Sequence, residues 1–152
     1  MSDKLIIETA HGAVTIKLRE DLAPNHVARI KELAKDGFYD GIVFHRVIPG
    51  FMAQTGDPTG TGMGGSGQNL KAEFSDASFG RGTCGMARAM DPNSADSQFF
   101  ICFAPASHLN GQYTVWGEVI GGMDAIDQIA VGEPPANPDK MLKVTVEETV
   151  ES

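Results

Sequence analysis

Glycine interrupts this chain so often that no apolar run grows long. Eighteen of its 152 residues are glycine, and they fall between short apolar stretches rather than inside long periodic ones. Such spacing argues against a helical bundle and fits turns joining strands. A chain of this length favours a single domain around one core, here residues 1–152. Hydrophobic residues make up 41% and charged residues 21%, the balance of a globular rather than a disordered protein.

Two runs, 5–9 and 14–18, flank His11-Gly12. In the second, Val14, Ile16 and Leu18 alternate with Thr15, Lys17 and Arg19, the period of a half-buried strand. An opening hairpin is expected, with His11 in its turn. The pattern then changes. Pro24 suits a first helical position, Gly37 a residue just past the end, and Val27, Ile30 and Ala34 share a face. These predict a helix over 24–36, with His26 on its polar side. Residues 42–56 read as two strands around Pro49-Gly50, and 57–95 as mostly irregular chain. Strands are expected over 98–103 and 113–120, and a short helix at Met123, Ile126, Ile129 and Ala130. Leu142, Val144 and Val146 mark a closing strand. The expected architecture is mainly β, an antiparallel sheet closed into a barrel with two helices over its ends.

Several function classes fall away. A net charge of −8 repels phosphate backbones, so nucleic acid is not an expected partner. No apolar stretch reaches the length of a membrane-spanning helix. The opening MSDKLIIETAHG lacks the pattern of a signal peptide, which predicts a cytoplasmic protein. Cys84 and Cys102 form no C-x-x-C pair and read as buried packing. GTGMGGSG, 60–67, contains G-x-G-x-x-G at Gly60, Gly62 and Gly65. Asp57-Pro58 precedes it and no helix follows, so it reads as a surface loop rather than a nucleotide site. The histidines His11, His26, His45 and His108 lack metal-ligand spacing. No metal or cofactor is expected.

VFHRVIPGFMAQTGD, 43–57, sets Arg46 among Val43, Phe44, Val47, Ile48, Phe51 and Met52, with no acidic neighbour before Asp57. An unpaired guanidinium in an apolar interior is costly. Arg46 therefore either lies along an edge strand with its stem on apolar neighbours or borders a pocket. SQFFICFAP, 97–105, likewise sets Gln98 beside two phenylalanines. A pocket with apolar walls and a few polar groups fits both stretches.

FHRVIPGFMAQTGD and SQFFICF, together with GMARAMDPNSADSQFFI and HLNGQYTVWGEVIGGMD, closely resemble the cyclophilins. These are the cyclosporin-binding family of peptidyl-prolyl cis-trans isomerases, and the resemblance is to their compact bacterial type. It covers essentially the whole chain. It implies a closed eight-stranded antiparallel β-barrel capped by two α-helices, with the substrate groove on the barrel's outside. It implies Arg46 as the catalytic residue and Phe51, Met52, Phe100 and Leu109 as walls of a proline pocket. Gln54 would help hold Arg46 and the substrate, and the backbone of Ala87, Arg88 and Ala89 would pair with the peptide. His45 and Gln98 fall in the corresponding groove. His108 stands where many eukaryotic members have tryptophan and Tyr113 where they have histidine, which implies weak cyclosporin binding.

The family groove needs Arg46 and Gln54 close together. A two-residue hairpin loop at Pro49-Gly50 would instead put Arg46 opposite Ala53 and turn Gln54 to the other face. A bulge or longer loop is therefore expected between 47 and 53. Implied partners are proline-containing peptides and unfolded or partly folded proteins, acted on by a monomer. The alternative is a module that holds proline segments, with turnover incidental.

Overall fold

The structure, a computed structural model, describes residues 3–148. Strands β1 (Lys4–Thr9) and β2 (Gly12–Leu18) form the expected hairpin, with Thr9 opposite Gly12 and His11 in the turn. Helix α1 (Pro24–Lys35) follows. Then come β3 (Arg46–Ile48), β4 (Met52–Thr55), β5 (Thr83–Met86), β6 (Phe99–Cys102) and β7 (Val115–Gly121). Helix α2 (Met123–Asp127) and β8 (Lys143–Glu147) end the described chain. All the ladders are antiparallel, in the order β3-β4-β6-β5-β7-β2-β1-β8.

The sheet curls but does not close, which corrects the expectation of a closed barrel. Among the described residues β3 and β8 remain its two edges. The segment 130–142 fills the seam between them and bonds only at points. Val47 and Gly132 exchange two backbone hydrogen bonds (2.8 and 2.9 Å), and Phe44 N–H donates to Asp139 (2.8 Å). Met141 and Leu142 N–H groups donate to Ile42 and Glu8. Pro134, Pro135 and Pro138 lie in this segment and carry no N–H to offer a ladder.

Alternation along the strands builds two apolar clusters, one on each face. Val47, Ala53, Ile101 and Cys84 are register partners and point inward. There they meet Ile16, Val27, Ile30, Phe44 and Trp116 in the main core. Phe38, Tyr39, Phe99 and Trp116 pack edge to face in succession. Met52, Phe100 and Cys102 point outward into a second cluster with Phe79, Leu109 and Val115. All four residues of β6 are thus buried, as expected of a strand covered on both faces.

Strand β5 was not foreseen within 57–95. Its sequence, TCGM, is short and centred on glycine. A Cβ at Gly85 would stand 2.6 Å from the Phe100 ring and 2.7 Å from that of Phe79. Glycine here marks a close approach inside a paired strand rather than a break.

His26 also departs from expectation. It is fully buried, not on the polar side of α1. Ala23 at the N-cap offers no side-chain bond, and the Glu73 carboxylate does that work from a distant loop. It accepts the N–H groups of His26 (2.8 Å) and Asn25 (3.3 Å) and contacts His26 Nδ1 at 2.7 Å. Orphan donors at a helix start are thereby satisfied. Burial drives the His26 pKa below its ordinary 6.5, against the opposing pull of Glu73. The unfolded ring gains a proton below pH 6.5 before the folded one does, so stability is full above that value and declines beneath it. Glu73→Ala should cost about 1–2 kcal/mol, read as a lower urea midpoint. Glu73→Gln, which keeps an accepting oxygen, should cost less.

Candidate functional site

The turn between β3 and β4 decides which side chains meet. Ile48 pairs with Met52, leaving the three-residue loop Pro49-Gly50-Phe51, and Phe51 N–H donates to Ile48 (3.1 Å). Arg46 therefore stands directly opposite Gln54, and Gln54 opposite Phe100. The longer loop is as expected, and it keeps these three on the outer face.

There they border a cavity of about 150 Å³ lined by Arg46, Phe51, Met52, Gln54, Ala87, Arg88, Phe100, Leu109 and Tyr113. That is about five times a water molecule's ~30 Å³ share of liquid volume, the scale of one small ring. The Phe100 ring stacks on Phe79 (centroids 5.8 Å) and meets Tyr113 edge on (5.7 Å). Leu109 comes from the 3₁₀ turn Ser107–Leu109. The Arg88 guanidinium lies 4.7 Å from the Tyr113 ring centre and donates to the Gln112 carbonyl.

Arg46 is not buried: its side chain is 44% exposed. Its Nε donates to Glu133 Oε1 at 2.9 Å, and Glu133 is itself 56% exposed. Among the described residues, neither Nη atom makes a protein hydrogen bond. The guanidinium thus borders a cavity walled in part by Phe51, Met52, Phe100 and Leu109, with its outer donors available.

A second cavity of about 360 Å³ adjoins the first and shares Gln54, Ala87 and Arg88 with it. Asn69, Ala89, Ser94, Asp96, Gln98 and the stretch Gly62 to Gly65 complete its wall. Gln98 lines the second cavity and is tied to Gln54, which borders both. Its Nε2 donates to the carbonyls of Gly62 and Gly64 (3.0 and 2.9 Å), and its Oε1 accepts from Gln54 Nε2 (2.9 Å).

Two residues expected in the groove, His45 and His108, line neither cavity. His45 is buried. Burial lowers its pKa below the usual histidine value; Asp57 opposes this and Arg46 adds to it. His108 is exposed at the rim, its ring 5.5 Å from that of Phe51.

The glycine stretch is tied to carboxylates of the protein itself. Asp57, 1% exposed, accepts the N–H groups of Thr59, Thr61 and Gly62 and the Thr59 hydroxyl. Asp96 accepts those of Ser66 and Gly67. A phosphate would find these donors already engaged, so the G-x-G-x-x-G resemblance has no free cradle behind it. Asp57, Asp96 and Glu133 were not singled out as site residues. For Asp57 a signal existed: Asp-Pro-Thr-Gly is turn chemistry, with the carboxylate capping an N–H two residues on.

Other chemistries lack activated groups here. Cys84 and Cys102 are buried free thiols, and burial pushes Cys102 up to about 11 and Cys84 well above its usual value. Among the described residues no group of three or more His, Cys, Asp or Glu side chains could hold a metal ion. No helix among them is long and apolar enough to cross a membrane.

The chain matches the family described as "Cyclophilin type peptidyl-prolyl cis-trans isomerase/CLD" over residues 4–149. It is 51% identical over 160 residues to a "Probable peptidyl-prolyl cis-trans isomerase" of Brucella suis, covering 94% of this chain and 82% of the relative. The crystal structure of a cyclophilin type peptidyl-prolyl cis-trans isomerase from Cryptosporidium parvum superposes with a TM-score of 0.90 at 28% identity, covering 99% of this chain and all of that one. The same protein in the presence of the dipeptide Ala-Pro superposes at 0.88 and 29% identity, covering 96% of this chain and 99% of that one.

Burial alone would raise the Asp57 pKa, but the bonds from Thr59, Gly64 and Gly62 prevail and hold it at about 2, below the ordinary 3.8. Asp57 should therefore contribute about 2 kcal/mol. That contribution is whole above pH 3.8 and lost as pH falls through 2. Urea titrations should show the loss in the wild type. Asp57→Asn should be less stable at pH 7 and lack that acid dependence.

Proposed function

The chain belongs to the cyclophilin-type peptidyl-prolyl cis-trans isomerase family and is such an isomerase, and on that premise we propose that Arg46 is its catalytic residue. In this reading Phe51, Met52, Phe100 and Leu109 grip the proline ring. Gln54 and Gln98 steady the peptide, and the backbone at Ala87, Arg88 and Ala89 pairs with it. The observation that carries the reading is Arg46 beside the cavity that Phe51, Met52, Phe100 and Leu109 help to wall, its Nη donors without protein partners among the described residues.

The chemistry follows from the amide. Delocalisation of the nitrogen lone pair makes rotation cost about 18–20 kcal/mol, and uncatalysed X-Pro exchange takes tens to hundreds of seconds. At the twisted midpoint the lone pair returns to nitrogen. A donor aimed there interacts more strongly with the midpoint than with either planar form, which is what lowers a barrier. A guanidinium stays charged and holds its donors in a rigid plane. The apolar walls exclude water and strengthen its field. No covalent bond breaks, so the step asks for no nucleophile or proton transfer.

The same reading takes proline-containing segments of unfolded or partly folded proteins as substrates. It pictures residues 1–152 as one monomeric domain, consistent with a family match running from 4 to 149. It also sets the chain in the cytoplasm, where the free thiols of Cys84 and Cys102 would stay reduced. Cyclosporin binding should be weak, because His108 sits exposed at the rim where a larger indole would add apolar contact.

The test is NMR exchange spectroscopy on a short Ala-Pro peptide. Arg46→Ala should lower catalysed exchange by about 10²–10³ while the peptide still binds. Arg46→Lys should recover only part, since it keeps the charge without the planar fork. Wild-type exchange rates in Arg46→Ala would overturn the assignment.

A further inference from the structure

Resting on the Arg46 reading, we propose that Glu133 is a positioning residue for catalysis, holding the guanidinium by Nε so that both Nη atoms face the proline cavity. A free arginine at 44% exposure samples many rotamers, and each one away from the cavity is unproductive. A donor fixed beforehand spares the reaction that search. Glu133 takes only the Nε–H, at 2.9 Å, and leaves the outer donors for the substrate.

Glu133 is held in place by the backbone beside it. Its neighbour Gly132 exchanges both hydrogen bonds with Val47, the residue next to Arg46. Gly132 has a φ of +144°, and a Cβ there would lie 2.7 Å from Pro135 and 2.9 Å from the Pro134 carbonyl oxygen. Only glycine fits this approach. Pro134 and Pro135 then restrict the chain on the far side. Carboxylate and guanidinium are thus carried on two segments joined one residue away from each.

An exposed ion pair of this kind adds little to stability, so its use lies in geometry. The carboxylate also offsets part of the cation's field, a cost that falls mainly on the twisted amide and that the gain in orientation has to exceed. Orientation favours only the twisted form, because only there does nitrogen accept a hydrogen bond.

The test uses Glu133→Ala, Glu133→Gln, Arg46→Ala and the Arg46/Glu133 double alanine variant, with an Ala-Pro peptide as probe. At saturating peptide, Glu133→Ala should slow catalysed exchange about tenfold, with peptide affinity and thermal midpoint unchanged. Glu133→Gln, whose amide oxygen can still accept from Nε, should restore most of the rate. The Arg46 Nε–H NMR signal should move in Glu133→Ala and stay near its wild-type position in Glu133→Gln. In the Arg46→Ala background, removing Glu133 should change nothing further. Exchange that is unchanged or faster in Glu133→Ala, while Arg46→Ala is impaired, would overturn the role of Glu133 alone. So would an equal loss from Glu133→Ala when Arg46 is already absent. A fully active Arg46→Ala would overturn the Arg46 reading and this inference with it.

Discussion

The length of one loop governs the site. With three residues between Ile48 and Met52, Arg46, Gln54 and Phe100 fall in line across three strands on the outer face. One residue fewer would exchange every β4 side chain between core and groove. Met52 would then enter the main core and Ala53 would leave it. The buried set of inward residues, Val47, Ala53, Ile101 and Cys84, therefore enforces the register that lines up Arg46, Gln54 and Phe100 on the outer face. Packing on one side of the sheet sets the chemistry on the other.

The incomplete closure of the sheet has a consequence at the same place. A continuous ladder between β3 and β8 would have put a regular strand against Val47. Instead the proline-bearing segment 130–142 touches the edge at single points, and at one of them it carries a carboxylate to Arg46. Irregular backbone can turn a side chain toward a neighbour at an angle that a pleated strand does not offer. The seam and the ion pair are parts of one arrangement.

Elements whose signal is local were legible in the sequence. The β1–β2 hairpin shows alternation, α1 shows a proline start, an apolar face and a glycine stop, and each stands close to where it was expected. The residues gathered around the small cavity were legible through their resemblance to a family, not through spacing alone. What stayed hidden depends on partners far along the chain. Glu73 caps α1 from 47 and 48 residues away, so nothing near His26 announces its burial. Gly85 looks like a turn residue until Phe79 and Phe100 are seen against it. Glu133 lies 87 residues from the arginine it holds, in a stretch whose prolines suggest only a loop.

Arg46 raised the question of a cation set among core-type residues, and its surroundings answer it by parity and by shape. Within β3 alternation sends Val47 inward while Arg46 points out, and Phe44 reaches the core from the irregular chain before the strand, so the charge never leaves water fully and the large desolvation cost does not arise. The geometry also favours arginine over lysine. An ammonium held by Glu133 would spend on that contact the same point charge the substrate needs. A guanidinium can divide the tasks, with Nε toward the carboxylate and the Nη pair left for the substrate, on one rigid plane. Fixing one edge of that plane aims the other. The exposed salt bridge, negligible as a source of stability, is on the proposed reading a device for direction.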